Sequence, residues 1–183
     1  SRSIDNWFSV RTRTIVANSA DVARAYLEEH GQVIRTDVVN MAKDLDDVIK
    51  DMKGDLRSST DVRNLMMAQT GLRELSLAAI IDANGAIAVQ GAADTRVHYE
   101  RPAPETIKAA EGGHVPLLMP TQVQRVAAVA KLKSLPGYYL YGARSVNAKV
   151  VGHLRETQAA VAEYERLRAA RGPLKLVHGI MYF

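Results

Sequence analysis

Arginine, histidine and tyrosine gather at two places along the chain: Arg96, His98, Tyr99 and Arg101 within TRVHYER, and Tyr139, Tyr141 and Arg144 within YYLYGAR. The chemistry these side chains support is recognition of a small anion. The forked donors of arginine pair bidentately with a carboxylate, and tyrosine adds rigid area and one hydroxyl. Each also has a structural alternative: Arg144 as an ion-pair partner, the tyrosines as core or sheet-face packing. Covalent and metal chemistry finds less support. His98, Glu100 and His114 match neither the His-Glu-x-x-His spacing nor its inverse. Asp82-Ala83-Asn84-Gly85 begins like a calcium loop but lacks the later ligands, so turn formation explains it. Ser76, Ser134 and Ser145 have no Gly-x-Ser-x-Gly setting, and Gly112-Gly113 is not followed by the lysine and hydroxyl of a phosphate loop. Cysteine is absent, which excludes disulfides and thiolate metal sites. The chain is therefore expected to be non-enzymatic, with no catalytic residue, metal or cofactor of its own.

At 183 residues, 47% hydrophobic and 24% charged, the composition is that of a globular protein with one sizeable core. No stretch reaches the roughly 18 apolar residues of a complete membrane helix. The net charge of +4 is modest, and basic residues alternate with acidic ones, which argues against nucleic acid. Arg2, Arg11, Arg13 and Arg24 near the start, and Arg155, Arg166, Arg168 and Arg171 near the end, suit anionic lipid head groups better. The beginning lacks the apolar segment of a signal peptide. Taken alone this reads as cytoplasmic; it is equally what a periplasmic loop looks like without its flanking membrane segments.

These residues need elements to position them. From Ile4 to about Met52 there is no proline, Gly31 is the only glycine, and apolar residues recur three and four apart. Ile15, Val22, Tyr26 and Ile34 fit one stripe, continued by Val38, Met41, Leu45, Val48 and Met52. The spacing predicts one helix over about 4–52, on the order of 70 Å long, with Gly31 a point of bending or interruption. A helix of that length must project from the body or pack against a partner. Ser59 or Thr60 is placed to cap a short helix ending before Gly71. LSLAAIIDANGAIAVQG, 75–91, reads as a hairpin with Asn84-Gly85 supplying the positive φ. A short helix after Pro104, closed by Gly112 and Gly113, precedes three strand-like runs: 115–121, 124–134 and, beyond a Pro136-Gly137 turn, 138–146. Alanine and lysine would favour a helix in the middle run, but its setting between a strand and a turn favours a strand. Asn147 caps a second long helix, about 147–171, with Val150, Val151, Leu154, Val161, Tyr164 and Leu167 on one face. Long helix, central antiparallel sheet of about five strands over about 72–146, inserted loop and short helix, long helix: the class is α+β.

Trp7-Phe8-Ser9 with VRTRTIVANSADVARAYLEEH, the segment YYLYGARSVNAKVVGHLRETQAAVAEYERL and the ending GIMYF resemble the periplasmic sensor region of the NtrY nitrogen-regulation sensor histidine kinases, over essentially the whole chain. The resemblance implies a single-module Cache (PAS-like) fold and a signal-sensing domain of a two-component sensor histidine kinase. It also implies transmembrane helices before Ser1 and from about Leu174. The ATP-dependent kinase and the surfaces for a response regulator would lie in cytoplasmic parts outside this sequence. On that reading 1–173 is the extracytoplasmic sensor domain and 174–183 begins a membrane segment. The chain is then periplasmic and tethered to the inner membrane, with Trp7, Phe8, Lys175, Tyr182 and Phe183 near the lipid interface, where aromatic and basic side chains collect.

Resemblance to Cache modules further implies a ligand pocket between the exposed sheet face and the segment 94–121, taking a small anionic or zwitterionic metabolite. Its candidate residues are Arg96, His98, Tyr99, Arg101, Tyr139, Tyr141 and Arg144. Ile15, Val22, Tyr26, Leu154, Val161 and Tyr164 are the candidates for homodimer contact and for signalling by helix movement. The alternative is a structural or protein-binding module that responds to a periplasmic protein without a small ligand.

Overall fold

A computed structural model of the chain describes residues 2–92, 98–120 and 124–170. Helix α1 spans Arg2–Ile49, and a 3-10 turn, Leu56–Ser58, leads to α2, Thr60–Leu72. Strands β1, Leu77–Asp82, and β2, Ile87–Ala92, form a hairpin; α3 is Pro104–Glu111. Strands β3, Leu117–Leu118, β4, Arg125–Lys131, and β5, Tyr138–Ser145, precede α4, Ala148–Ala170. The chain divides into two compact units: 27–146, and the residues up to Tyr26 together with those from Asn147.

In the 27–146 unit one five-stranded sheet runs in the order β2-β1-β5-β4-β3, every neighbouring pair antiparallel. This order, between long helices and with a loop and short helix inserted, is the α+β class expected from the element pattern and the Cache/PAS-like fold that the resemblance implies. Ile34, Val38, Met41 and Leu45 of α1 are wholly buried at spacings of four, three and four, so one stripe of the helix packs into the core. The stripe ends on buried Ile49, with Val48 only half-buried. Gly31 does not interrupt α1. A Cβ there would sit 3.0 Å from Leu117 Cδ1 and 3.4 Å from Met119 Cε, so its lack of a side chain makes room for the β3 segment.

The pleat sends alternate side chains to opposite faces. Gly142 lies on the α1 face, where a Cβ would come within 2.6 Å of Val38 Cγ2. On the other face, Leu77, Ala79, Ile81, Ala127, Val129, Tyr139, Tyr141 and Ala143 pack with Ile107 and Ala110 of α3. Buried apolar residues on both faces explain why β1 and β4 read as continuous apolar runs and not as alternating ones.

The connections follow local chemistry. Ser59 caps α2, its hydroxyl accepting from the Val62 amide at 3.3 Å, and the helix continues through Gly71 to Leu72, beyond the expected end. The hairpin turn needs positive φ at Gly85 alone, not at Asn84. The Asp82 carboxylate fixes the turn by accepting from the Asn84 and Ala86 amides, both at 2.9 Å. The alanine-rich run 125–131 is a strand, joined to β5 through Gly137 at φ 82.

In the other unit, Ala20 and Ala23 of α1 and Val151 and Thr157 of α4 are buried, whereas Val22 is 72% exposed. Asn147 caps α4: its side-chain oxygen accepts from the Lys149 amide at 2.8 Å, and its own amide donates to the Tyr26 hydroxyl at 3.3 Å. Among the described residues no helix is long and apolar enough to cross a membrane. The expected membrane segment 174–183, with Lys175, Tyr182 and Phe183, lies outside the described residues, as do the side chains of Trp7, Phe8 and Ile15.

Two glycines test the packing. At Gly91 on β2 a Cβ would meet the Met66 carbonyl oxygen and Thr70 Oγ1, each at 2.7 Å, and the carbonyl belongs to helix backbone that cannot swing aside. Gly91→Ala is expected to cost about 1–3 kcal/mol, seen as a lower melting temperature. Gly71→Ala, where nothing lies within 4 Å of the added carbon, should instead raise stability by up to about 1 kcal/mol.

Candidate functional site

The sheet face beneath the 98–101 segment and α3 brings together the three tyrosines that the sequence singles out, two on the strand and one on the covering segment. Tyr139 and Tyr141 project there from β5, both buried. Tyr99 comes down from the covering segment and meets Tyr141 edge to face, ring centroids 5.2 Å apart at 87°. Its hydroxyl donates to the Gly85 carbonyl at 2.7 Å, tying the segment to the hairpin turn. The Arg101 stem crosses the same turn: a Cβ on Gly85 would lie 2.5 Å from Arg101 Cγ. His98 and Arg101 are otherwise exposed, and Arg96 lies outside the described residues.

Arg144 is on the opposite face. It stands three positions on from Tyr141, and on a strand an odd step reverses the side chain, so it cannot line a site with the tyrosines. There it donates to Asp37 Oδ2 at 2.8 Å and to the Arg73 carbonyl at 2.5 Å. Arg73 takes the other oxygen of Asp37 at 3.1 Å and reaches Asp44 at 3.5 Å. One carboxylate of α1 thus holds β5 and the end of α2 together.

Arg125 is the residue that sequence reasoning passed over. It heads β4 in register with Ser145 and alternates with Ala127 and Val129, which puts it on the tyrosine face. It is only 8% exposed. One Nη donates to the His98 carbonyl, and the other is buried and has no hydrogen-bond partner among the described residues. Strand alternation through RVAAV was the available signal; the register against β5 was not legible.

The phenols on this face are all harder to ionise than usual. Burial is the main cause for Tyr99, with Tyr141 adding to it, and burial also raises Tyr141, opposed by the nearby Arg125 charge. Burial, then the bond to Glu111, pushes Tyr139 up to about 12. Tyr139 donates to Glu111 Oε2 at 2.6 Å, and Lys131 donates to Oε1 at 3.1 Å. Those two bonds, Tyr139 first, hold the Glu111 carboxyl below its ordinary range. Among the described residues no cluster of three or more histidine, aspartate or glutamate side chains could hold a metal ion.

In the second unit, Ser19, Val22, Ala23 and Tyr26 of α1 with Lys149, Val150 and His153 of α4 line a largely apolar groove of about 510 Å³. Leu154, Val161 and Tyr164 are half-buried along α4, and Leu167 is 48% exposed.

Residues 2–180 match the family model described as NtrY N-terminal region. The chain is 32% identical over 181 residues to the nitrogen regulation protein NtrY of Azorhizobium caulinodans, covering 99% of this chain and 23% of that protein. It is 24% identical to NtrY-like proteins, named as sensor histidine kinases, of Rickettsia bellii and Rickettsia felis, covering 98% of this chain and 29% and 30% of theirs. The chain therefore spans less than a third of the length of these relatives.

The Tyr139 and Glu111 bond should mark the pH dependence of stability. Glu111 is depressed, so its contribution is present above the ordinary 4.5 and lost as pH falls through its lower folded value. Tyr139 is raised, so its contribution is present below the ordinary 10 and lost as pH rises through about 12. Denaturation midpoints across pH should show Tyr139→Phe shrinking both limbs, the alkaline one keeping the part that the raised Tyr99 and Tyr141 phenols supply. A mutant curve parallel to wild type at both ends would exclude this coupling.

Proposed function

The chain belongs to the family of NtrY N-terminal regions, and from that premise we propose that it is the extracytoplasmic signal-sensing domain of a two-component sensor histidine kinase, relaying its stimulus by helix movement. In this reading residues 1–173 are the periplasmic domain of an inner-membrane protein, with 174–183 entering the bilayer. The kinase and the contact with a cognate response regulator belong to parts beyond this sequence. The stimulus is a small anionic or zwitterionic ligand, or a periplasmic protein, acting on the sheet.

The observation that carries the proposal is the attachment of both long helices to one strand. Asp37 of α1 grips Arg144 at the end of β5, and the chain passes from Ser145 to α4 at Ala148. A change in β5 therefore bears on α1 through an ion pair and on α4 through the backbone. A ligand shifts such a system only by its differential affinity for two states, so the two must lie within a few kcal/mol of each other. Exposed Val22 and Leu167, with the apolar groove between α1 and α4, support a homodimer formed through these helices.

The test uses the full-length protein in membranes. This region contains no cysteine, so Val22→Cys with Lys149→Cys places a defined thiol pair across the groove. Bridging it with a bismaleimide is expected to change the autophosphorylation rate severalfold, while either single variant treated with the same reagent stays at the wild-type rate. An unchanged rate in the bridged protein would rule out relay by movement of α1 against α4.

A further inference from the structure

We propose that Arg125 anchors a binding site for a small carboxylate, one whose remaining part is flat or apolar enough to lie against Tyr99 and Tyr141. The contrast among the arginines makes the case. Arg73 and Arg144 are about a fifth exposed and share the Asp37 carboxylate. Arg125 is more deeply buried than either, yet among the described residues it forms no ion pair, has one hydrogen bond to a neutral carbonyl, and leaves a buried Nη unpartnered. A buried charge without a counter-charge is among the costliest arrangements a fold can hold. A carboxylate arriving from solution would remove that cost, taking the free Nη by a charge-assisted hydrogen bond. The edge-to-face tyrosine pair on the same sheet face offers an apolar wall for the rest of the ligand. The one acidic side chain whose charge bears on Tyr141 is Glu100, which is exposed. The assignment rests on the sensing role for its purpose but not for its chemistry.

The experiment is a titration of the 183-residue chain, labelled with ¹⁵N-arginine, with benzoate, succinate and the neutral isostere benzamide at constant ionic strength. The Arg125 guanidinium resonances should move saturably with at least one carboxylate and not with benzamide. Arg125→Met should weaken that carboxylate by about thirtyfold or more while melting no lower than wild type without ligand, since it removes an uncompensated buried charge. Should the variant not fold, the wild-type titration and Arg125→Lys still decide. No saturable movement with either carboxylate, or equal movement with benzamide, overturns the site. So does an Arg125 resonance that responds to Glu100→Gln and to no added carboxylate, because Glu100 would then be its counter-ion. Autophosphorylation of the full-length protein with the same probe separates the two proposals. Binding without any change in rate keeps the site and counts against sensing through it, and absence of binding removes the site while leaving the relay to stand on its own test.

Discussion

Asp37 is the constraint on which the 27–146 unit depends. It stands on α1 between the wholly buried Ile34 and Val38, so its place is fixed by core packing before its charge is considered. One oxygen pairs with Arg73 at the end of α2 and the other with Arg144 on β5. The same two arginines are held by further contacts, Arg73 by Gln69 at 2.7 Å and Arg144 by the Arg73 and Glu74 carbonyls. Glu74 adopts the left-handed conformation, φ 54, that usually falls to glycine after a helix. Its carbonyl faces Arg144 in that conformation, so a strained backbone residue and an ion pair are parts of one junction.

The two sheet faces consequently differ in kind. The face toward α1 is closed: Gly142 admits Val38 so closely that no side chain would fit, and its charges are mutually satisfied. The face toward α3 is built from tyrosines and alanines, has its hydrogen bonds at the margins on Gly85 and Glu111, and keeps an arginine whose charge is not balanced among the described residues. Ala79 stands opposite Tyr141, and Ala127 opposite Ala143, so small side chains lie beside the aromatic ones. Ion pairing thus locks one face, and the other holds a buried donor that is unpartnered among the described residues.

Much of this was legible in the sequence because local rules agreed with one another. A proline-free heptad-like run gave α1, Asp82 to Gly85 gave the hairpin, and Asn147 gave the start of α4. The run 125–131 was legible only through its neighbours, because its alanines favour a helix and the turn at Gly137 overrides them. The site was less so. Grouping Arg144 with Tyr139 and Tyr141 set aside the two-residue period of the very strand they share. Arg125 escaped for the opposite reason: a charged residue at the head of a strand reads as an exposed margin, and only the pairing of β4 with β5 buries it. Gly31 looked like a hinge because helix propensity is local, whereas its role, making room for Leu117, is tertiary.

The length of α1 turns this chemistry into a mechanical question. Its 48 residues extend about 72 Å, and only those from Leu27 onward belong to the sheet-bearing unit. Within that unit the helix is keyed at Gly31, at Val38 against Gly142, and at Asp46, whose carboxylate accepts from the Ser134 amide at 3.0 Å and the Lys133 amide at 3.3 Å. A helix fixed at three points along one stripe has little freedom to slide relative to the sheet without breaking specific contacts. Core packing resists small continuous displacement, so a rearrangement large enough to matter would pass between discrete states. The junction at Asp37 is suited to such a choice, because its two arginines approach from different elements, and loss of either leaves a half-buried carboxylate in search of the other.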